Sequence, residues 1–159
     1  MKKIITLSLA ATIFLFACKK ETTENVANNN TGFSYKADGT ANTADSAYAV
    51  LYTLGVAPFN RMIDVFAFKG GIEVFEFHFK PTAGSYNADG TFSNSWLTYK
   101  TGINFPDDYY NSTSGTLNLT LCDTVAKKIE ASFNFTGNNG TTNKSITEGT
   151  MKVNITQVQ

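Results

Sequence analysis

Residues 72–80 read IEVFEFHFK. Phe75, Phe77 and Phe79 fall on one side of an extended chain, and Glu76, His78 and Lys80 fall on the other. Successive side chains on a strand point to opposite faces, so this period of two predicts a strand with one buried face. The alternation recurs along the chain. In 46–54, Tyr48, Val50, Tyr52 and Leu54 alternate with smaller residues, and 61–69 (RMIDVFAFK) is a further run. In 115–122, Leu117, Leu119 and Leu121 share a side; in 128–136, Ile129, Ala131, Phe133 and Phe135 do. The last run, 145–157, keeps Ile146, Met151, Val153 and Ile155 in phase if Gly149 marks a bulge. Shorter extended pieces are expected at 33–36, around Tyr86, and at 91–100 with Trp96, Leu97 and Tyr99.

Turn-forming residues separate these runs. Asp38-Gly39, Gly70-Gly71, Asp89-Gly90 and Gly137-Asn138-Asn139-Gly140 supply the backbone freedom that tight connections need. Residues 102–111, around Pro106, read as an irregular loop, and 123–126 as a connection. About eight strands result, with little room for a helix. Consecutive hairpins predict antiparallel pairing in an all-β domain. The expected architecture is an antiparallel β-sandwich-like meander, with a small lipocalin-like barrel as the alternative. Periodicity does not separate the two, because both bury one face of every strand.

The N-terminus follows a different pattern. Met1-Lys2-Lys3 is a short positive region, and 4–17 is an uncharged stretch of 14 residues interrupted only by Thr6, Ser8 and Thr12. That is the make-up of a signal peptide, and it is short of the roughly 20 residues that a spanning helix needs. The stretch ends in Leu15-Phe16-Ala17-Cys18. These residues resemble a bacterial lipoprotein lipobox, with Leu15, the small Ala17 and Cys18 in the matching places and Phe16 bulkier than is usual there. The resemblance implies that 1–17 is removed and that Cys18 carries a thioether-linked diacylglycerol. Several acyl chains, palmitate among them, would then hold the protein at the outer membrane, since each buried CH₂ adds about 0.8 kcal/mol. Residues 18–31 would be the lipidated cysteine and a disordered tether, whose only apolar residues after Cys18 are Val26 and Ala27. The folded domain is expected at 32–159. Lys19, Lys20 and Glu21 resemble a signal for export to the cell surface in some Bacteroidetes-like organisms, so periplasmic and surface-exposed placements both stay open.

Charge narrows the partners. The chain holds 13 basic and 13 acidic residues, and removal of Lys2 and Lys3 leaves 11 basic groups. No cationic field is present to recruit nucleic acid. Phe 13 and Tyr 7 promise an aromatic core.

Three phrases carry a wider likeness: FSYKADGTANTA (33–44), PTAGSYNA (81–88) and SGTLNLTLCDTVAKKIEASFNFT (114–136), followed by an alternating strand at 149–155. Together they resemble a family of small Bacteroidetes-type lipoproteins of unknown function, over most of 32–157. The resemblance implies an all-β body and an envelope location. It supplies no site residues.

Candidate chemistry is sparse. His78 and Glu76 share a strand face, yet a structural zinc site wants four ligands, and no metal or other cofactor is expected. Cys122 has no cysteine partner if Cys18 is acylated, and a nucleophilic cysteine needs a nearby base. Glu73 and Glu76 are expected on opposite faces, which denies them the shared cleft of paired glycosidase acids. The most ligand-like cluster is Asp107, Asp108, Tyr109 and Tyr110, two acids and two aromatics in a loop. Calcium needs six to eight oxygens, and no loop here has that spacing. Asn-x-Ser/Thr triplets such as Asn111-Ser112-Thr113 fit an Asn/Thr-rich surface. The expected function is a membrane-anchored envelope lipoprotein with a non-enzymatic binding or accessory role. Its partners would be membrane lipid through Cys18 and an envelope protein or glycan. A small envelope hydrolase and a lipocalin-like carrier of a hydrophobic ligand are the alternatives.

Overall fold

The computed structural model describes residues 32–53, 61–91 and 93–159. The expected signal peptide, Cys18 and the expected tether lie outside the described residues. The described chain forms ten strands: β1 (Phe33–Ala37), β2 (Thr40–Thr43), β3 (Ser46–Thr53), β4 (Arg61–Lys69), β5 (Ile72–Phe79), β6 (Gly84–Asn87), β7 (Ser95–Lys100), β8 (Tyr109–Asp123), β9 (Lys128–Asn138) and β10 (Asn143–Val158).

Pairing decides between the two architectures. β3, β4, β5, β7, β8, β9 and β10 pair in that order, each antiparallel to the next. β10 then returns to β3, where Ile155 and Val158 lie opposite Ala49 and Leu51 in a parallel pair. The parallel contact follows from the strand count. Seven strands that alternate in direction leave the first and last pointing the same way. The ring therefore closes, and the structure is the barrel rather than the sandwich-like meander. β1 extends the ring beside the lower part of β10, with β2 as its outer neighbour, and β6 lies on the upper part of β8. Long strands make this possible: the two ends of β10 serve different neighbours on the same edge.

The interior is filled by the predicted phases. β5 sends Phe75, Phe77 and Phe79 inward, all fully buried. Their neighbours on β3 and β4 are small, with Ala47 opposite Ala67 and Ala67 opposite Phe75. Large rings on one strand thus fill the space that alanines leave on the next, as close packing demands. Phe33 enters from β1, its ring centroid 5.2 Å from Phe75 and 5.4 Å from Phe133. Phe77 and Phe133 meet edge to face at 4.9 Å. On β3 it is the smaller residues, with Leu51, that face the core, while Tyr48 stacks outside on Phe68.

Three of the register slips bear directly on the core and the site. Between Ile146 and Gly149 the β9–β10 register slips, with Glu148 at φ 51°, and this keeps Met151 and Val153 in the core. A Cβ on Gly149 would run into the Phe133 ring. Between Leu119 and Leu121 a second slip turns Leu121 outward and brings Cys122 against the core. Leu121 therefore does not share the face of Leu117 and Leu119. The third slip lies between Ala67 and Phe68, opposite Glu73 to Phe75. It shapes the site described next.

Candidate functional site

The outer face of β4, β5 and β7 carries a chain of alternating charges. Asp64 and His78 are direct cross-strand partners, as are His78 and Trp96. The imidazole Nδ1 lies 2.6 Å from Asp64 Oδ1, and Nε2 lies 3.2 Å from Glu76 Oε1. Lys100 donates from Nζ to Glu76 at 2.6 Å and to Glu73 at 2.5 Å. Its ammonium also sits 4.6 Å from the centre of the Tyr109 ring. The β4–β5 bulge is what places Glu73 and Glu76 on one face, correcting the expectation that they point apart. Strict alternation would separate them; one extra residue reverses the phase between them.

Each member tunes its neighbours. Burial alone would push the His78 imidazolium down, but the hydrogen bonds and charges of Asp64 and Glu76 outweigh it and hold its pKa up at about 9. The His78 hydrogen bond draws Glu76 down to about 2, with Lys100 acting in the same direction against burial. Burial likewise opposes the charge on Lys100, and the two glutamates more than offset it. His78 is thus an imidazolium at neutral pH with both nitrogens directed at carboxylates. A general base needs an unprotonated nitrogen facing the reacting group, and this arrangement does not offer one. Beyond it, Trp96 Nε1 and Thr98 Oγ1 both donate to Asn111 Oδ1, at 3.1 and 2.9 Å.

A pH dependence follows. His78 has a raised folded pKa, so its contribution to stability is complete below about 6.5 and is lost as pH rises through about 9. Glu76 has a lowered one, so its contribution is present above about 4.5 and is lost as pH falls through about 2. With respect to these groups, stability is expected to be level from pH 4.5 to 6.5. It should then fall by roughly 3 kcal/mol at most towards alkaline pH. Urea denaturation across that range checks this. The alkaline decline should be absent from His78→Gln, and an equal decline in that variant would refute the assignment.

The loop candidates are divided by the fold. Asp108 Oδ2 accepts from the Asn104 amide and from Asn104 Nδ2, both at 3.0 Å, so it braces its own loop. The Asp107 carbonyl accepts from Asn139 Nδ2 at 2.6 Å. Tyr109 lies under Lys100, and Tyr110 is buried beside Tyr99. Cys122 is half-buried, and burial pushes its thiol up. Among the described residues no three His, Cys, Asp or Glu side chains are grouped to hold a metal ion.

The groove on the opposite outer face was not foreseen. It measures about 540 Å³ and crosses β8, β9, β10, β1 and the end of β2. Thr120, Ser132, Thr150, Ser34 and Thr43 supply hydroxyls, above a floor that includes Phe33, Ala131 and Met151. Four of these hydroxyls form one cross-strand row: Ser132 opposes Thr150, Thr150 opposes Ser34, and Ser34 opposes Thr43. Ser34 and Thr150 share a hydrogen bond of 2.9 Å. Lys152 and Glu130 face each other at 3.4 Å on the rim. The sequence signal was present as polar outward positions on four strands. It was unreadable without the register that aligns them.

Comparison with known proteins finds no matching family model, no matching curated protein and no matching solved structure.

Proposed function

We propose that this is a lipid-anchored envelope protein of the small Bacteroidetes lipoprotein type, held at the outer membrane through Cys18, and that its role is recognition rather than catalysis. The observation that carries the recognition role is the hydroxyl-lined groove of about 540 Å³. Its volume is that of a typical ligand cleft, and an apolar floor beneath a few placed polar groups is the usual composition of one. Adjacent strands set its hydroxyls at intervals of about 4.8 Å, a ladder suited to an extended, uncharged, polyhydroxylated chain. A glycan of the cell envelope is the occupant we favour over a protein. The carrier alternative fits the barrel only loosely, because aromatic side chains occupy its interior. The hydrolase alternative is weakened by the engagement of both His78 nitrogens.

Two measurements test this. Intact mass of the protein from the membrane fraction should show acyl mass on Cys18 and loss of 1–17; full-length protein with a free Cys18 thiol sinks the anchor. Calorimetry with soluble fragments of envelope polysaccharide should give binding that Ser132→Arg lowers at least tenfold. Equal affinity in that variant removes the groove from the proposal.

A further inference from the structure

The barrel has two unlike ends. One is formed by the β8–β9 turn, the start of β4, the end of β5 and the end of β10. Arg61 opens β4 opposite Thr53, Lys80 follows β5, and Lys127 and Lys128 lead out of the β8–β9 turn. Four of the chain's basic residues thus collect here. The acid in that turn is turned inward on its own backbone: Asp123 Oδ1 accepts from the amides of Val125 and Ala126 at 2.9 and 2.7 Å. The same two bonds brace the turn so that Val125 stands 93% exposed beside the lysines. The other end mixes charges: Asp38, Asp45, Asp107 and Asp108 lie there with Lys36, Lys69, Lys100 and Lys144, and Lys144 is committed to Asp38 at 2.7 Å.

The chain enters the barrel towards the basic end. The Gly32 carbonyl accepts from the Lys152 amide, while Lys127 and Lys128 meet β10 at Ile155 and Asn154. Gly32 is therefore about two residues, or roughly 7 Å, along β10 from the turn. Between Cys18 and Gly32 stand 13 residues, which can span at most about 45 Å. An acylated Cys18 keeps this end within reach of its membrane.

Resting on the anchoring proposed above, we infer that the basic end of the barrel, with Val125 at its tip, docks on the lipid surface and engages anionic headgroups through Arg61, Lys127 and Lys128. A basic residue close to an anionic surface is attracted to it within a Debye length, and an exposed apolar side chain enters the headgroup boundary. Docking in this orientation turns the end of mixed charge outward and leaves the groove at the side of the barrel, above the membrane.

The test uses the lipidated protein in vesicles of phosphatidylethanolamine with a minority of phosphatidylglycerol, in which the acyl chains carry bromine. Val125→Trp should add indole fluorescence that bromine quenches at least twofold, whereas Phe105→Trp at the far end should stay unquenched. Lys127→Glu with Lys128→Glu should abolish most of the quenching at position 125 without releasing the protein. Acyl mass on Cys18 with no quenching at position 125 overturns docking and leaves the anchor standing. Quenching at position 125 in protein that lacks acyl mass supports docking and removes the anchor. Quenching seen in native membranes but not in protein-free vesicles identifies a protein occupant and overturns the inference.

Discussion

Phe77→Ala is expected to cost about 3–5 kcal/mol, the range for deleting a fully buried aromatic side chain. Phe77 has no exposed surface, and its ring meets Phe133 at 4.9 Å, Phe75 at 5.3 Å, Phe33 at 6.0 Å and Phe135 at 6.2 Å. These partners come from β1, β5 and β9, so the ring ties three parts of the wall together. Beyond area, each favourable aromatic pair adds about 0.5–1.5 kcal/mol. Against a total stability of about 5–15 kcal/mol, the loss should shift the urea midpoint far while the m-value stays unchanged. The lining of the new cavity is apolar, so it should stay dry and admit a small apolar probe such as benzene. The unsubstituted barrel should not admit that probe. Equal uptake by both proteins would show that the interior has room before the deletion, and would return the carrier reading to strength.

The same ring shows how far the pattern of residues reaches. Period two is a local property, and it identified the inward residues of β5, β9 and β10. Closure is a property of the whole pairing order. No alternation within β10 or β3 reveals that Ile155 and Val158 lie beside Ala49 and Leu51. β2 went unread because its four residues, TANT, bury nothing. It exists through pairing to β1 alone. Phase was lost where bulges intervene. Gly149 announced one, since only a missing side chain leaves space for the Phe133 ring. The slip beside Leu121 has no glycine to mark it, and neither does the one opposite Glu73. The candidate site suffered most from this. Its charge chain depends on that unmarked bulge, and its groove depends on the register of β1 and β9 against β10.

Lys100→Met should destabilise the domain by about 3–5 kcal/mol, as expected when one partner of a buried ionic group is removed. The lysine side chain is 7% exposed, and its ammonium is shared between Glu73 and Glu76. Its loss leaves two carboxylates on one strand face with no cation between them. Lys36→Ala is the internal control, because the Lys36–Glu148 pair is largely exposed and such pairs contribute about 0–1 kcal/mol. Combining Lys100→Met with Glu73→Gln and Glu76→Gln should recover most of the loss, since an uncharged amide costs far less to desolvate than an unpaired carboxylate. That rescue has a consequence at His78. With Glu76 neutral, the imidazolium loses one of its two carboxylates, so the decline in stability should still begin near pH 6.5 but end at a lower pH and be smaller than in the parent. A Lys100→Met variant as mild as Lys36→Ala would show that the glutamates do not depend on the lysine. A rescued triple variant with the parent's pH profile would show that Glu76 does not hold the proton on His78. The two results are separable because Lys100 and His78 bind different oxygens of the same carboxylate, Oε2 and Oε1. One glutamate therefore joins the Lys100 cation of β7 to the imidazolium paired with Asp64 of β4, and the outer face loses its brace when either link is cut.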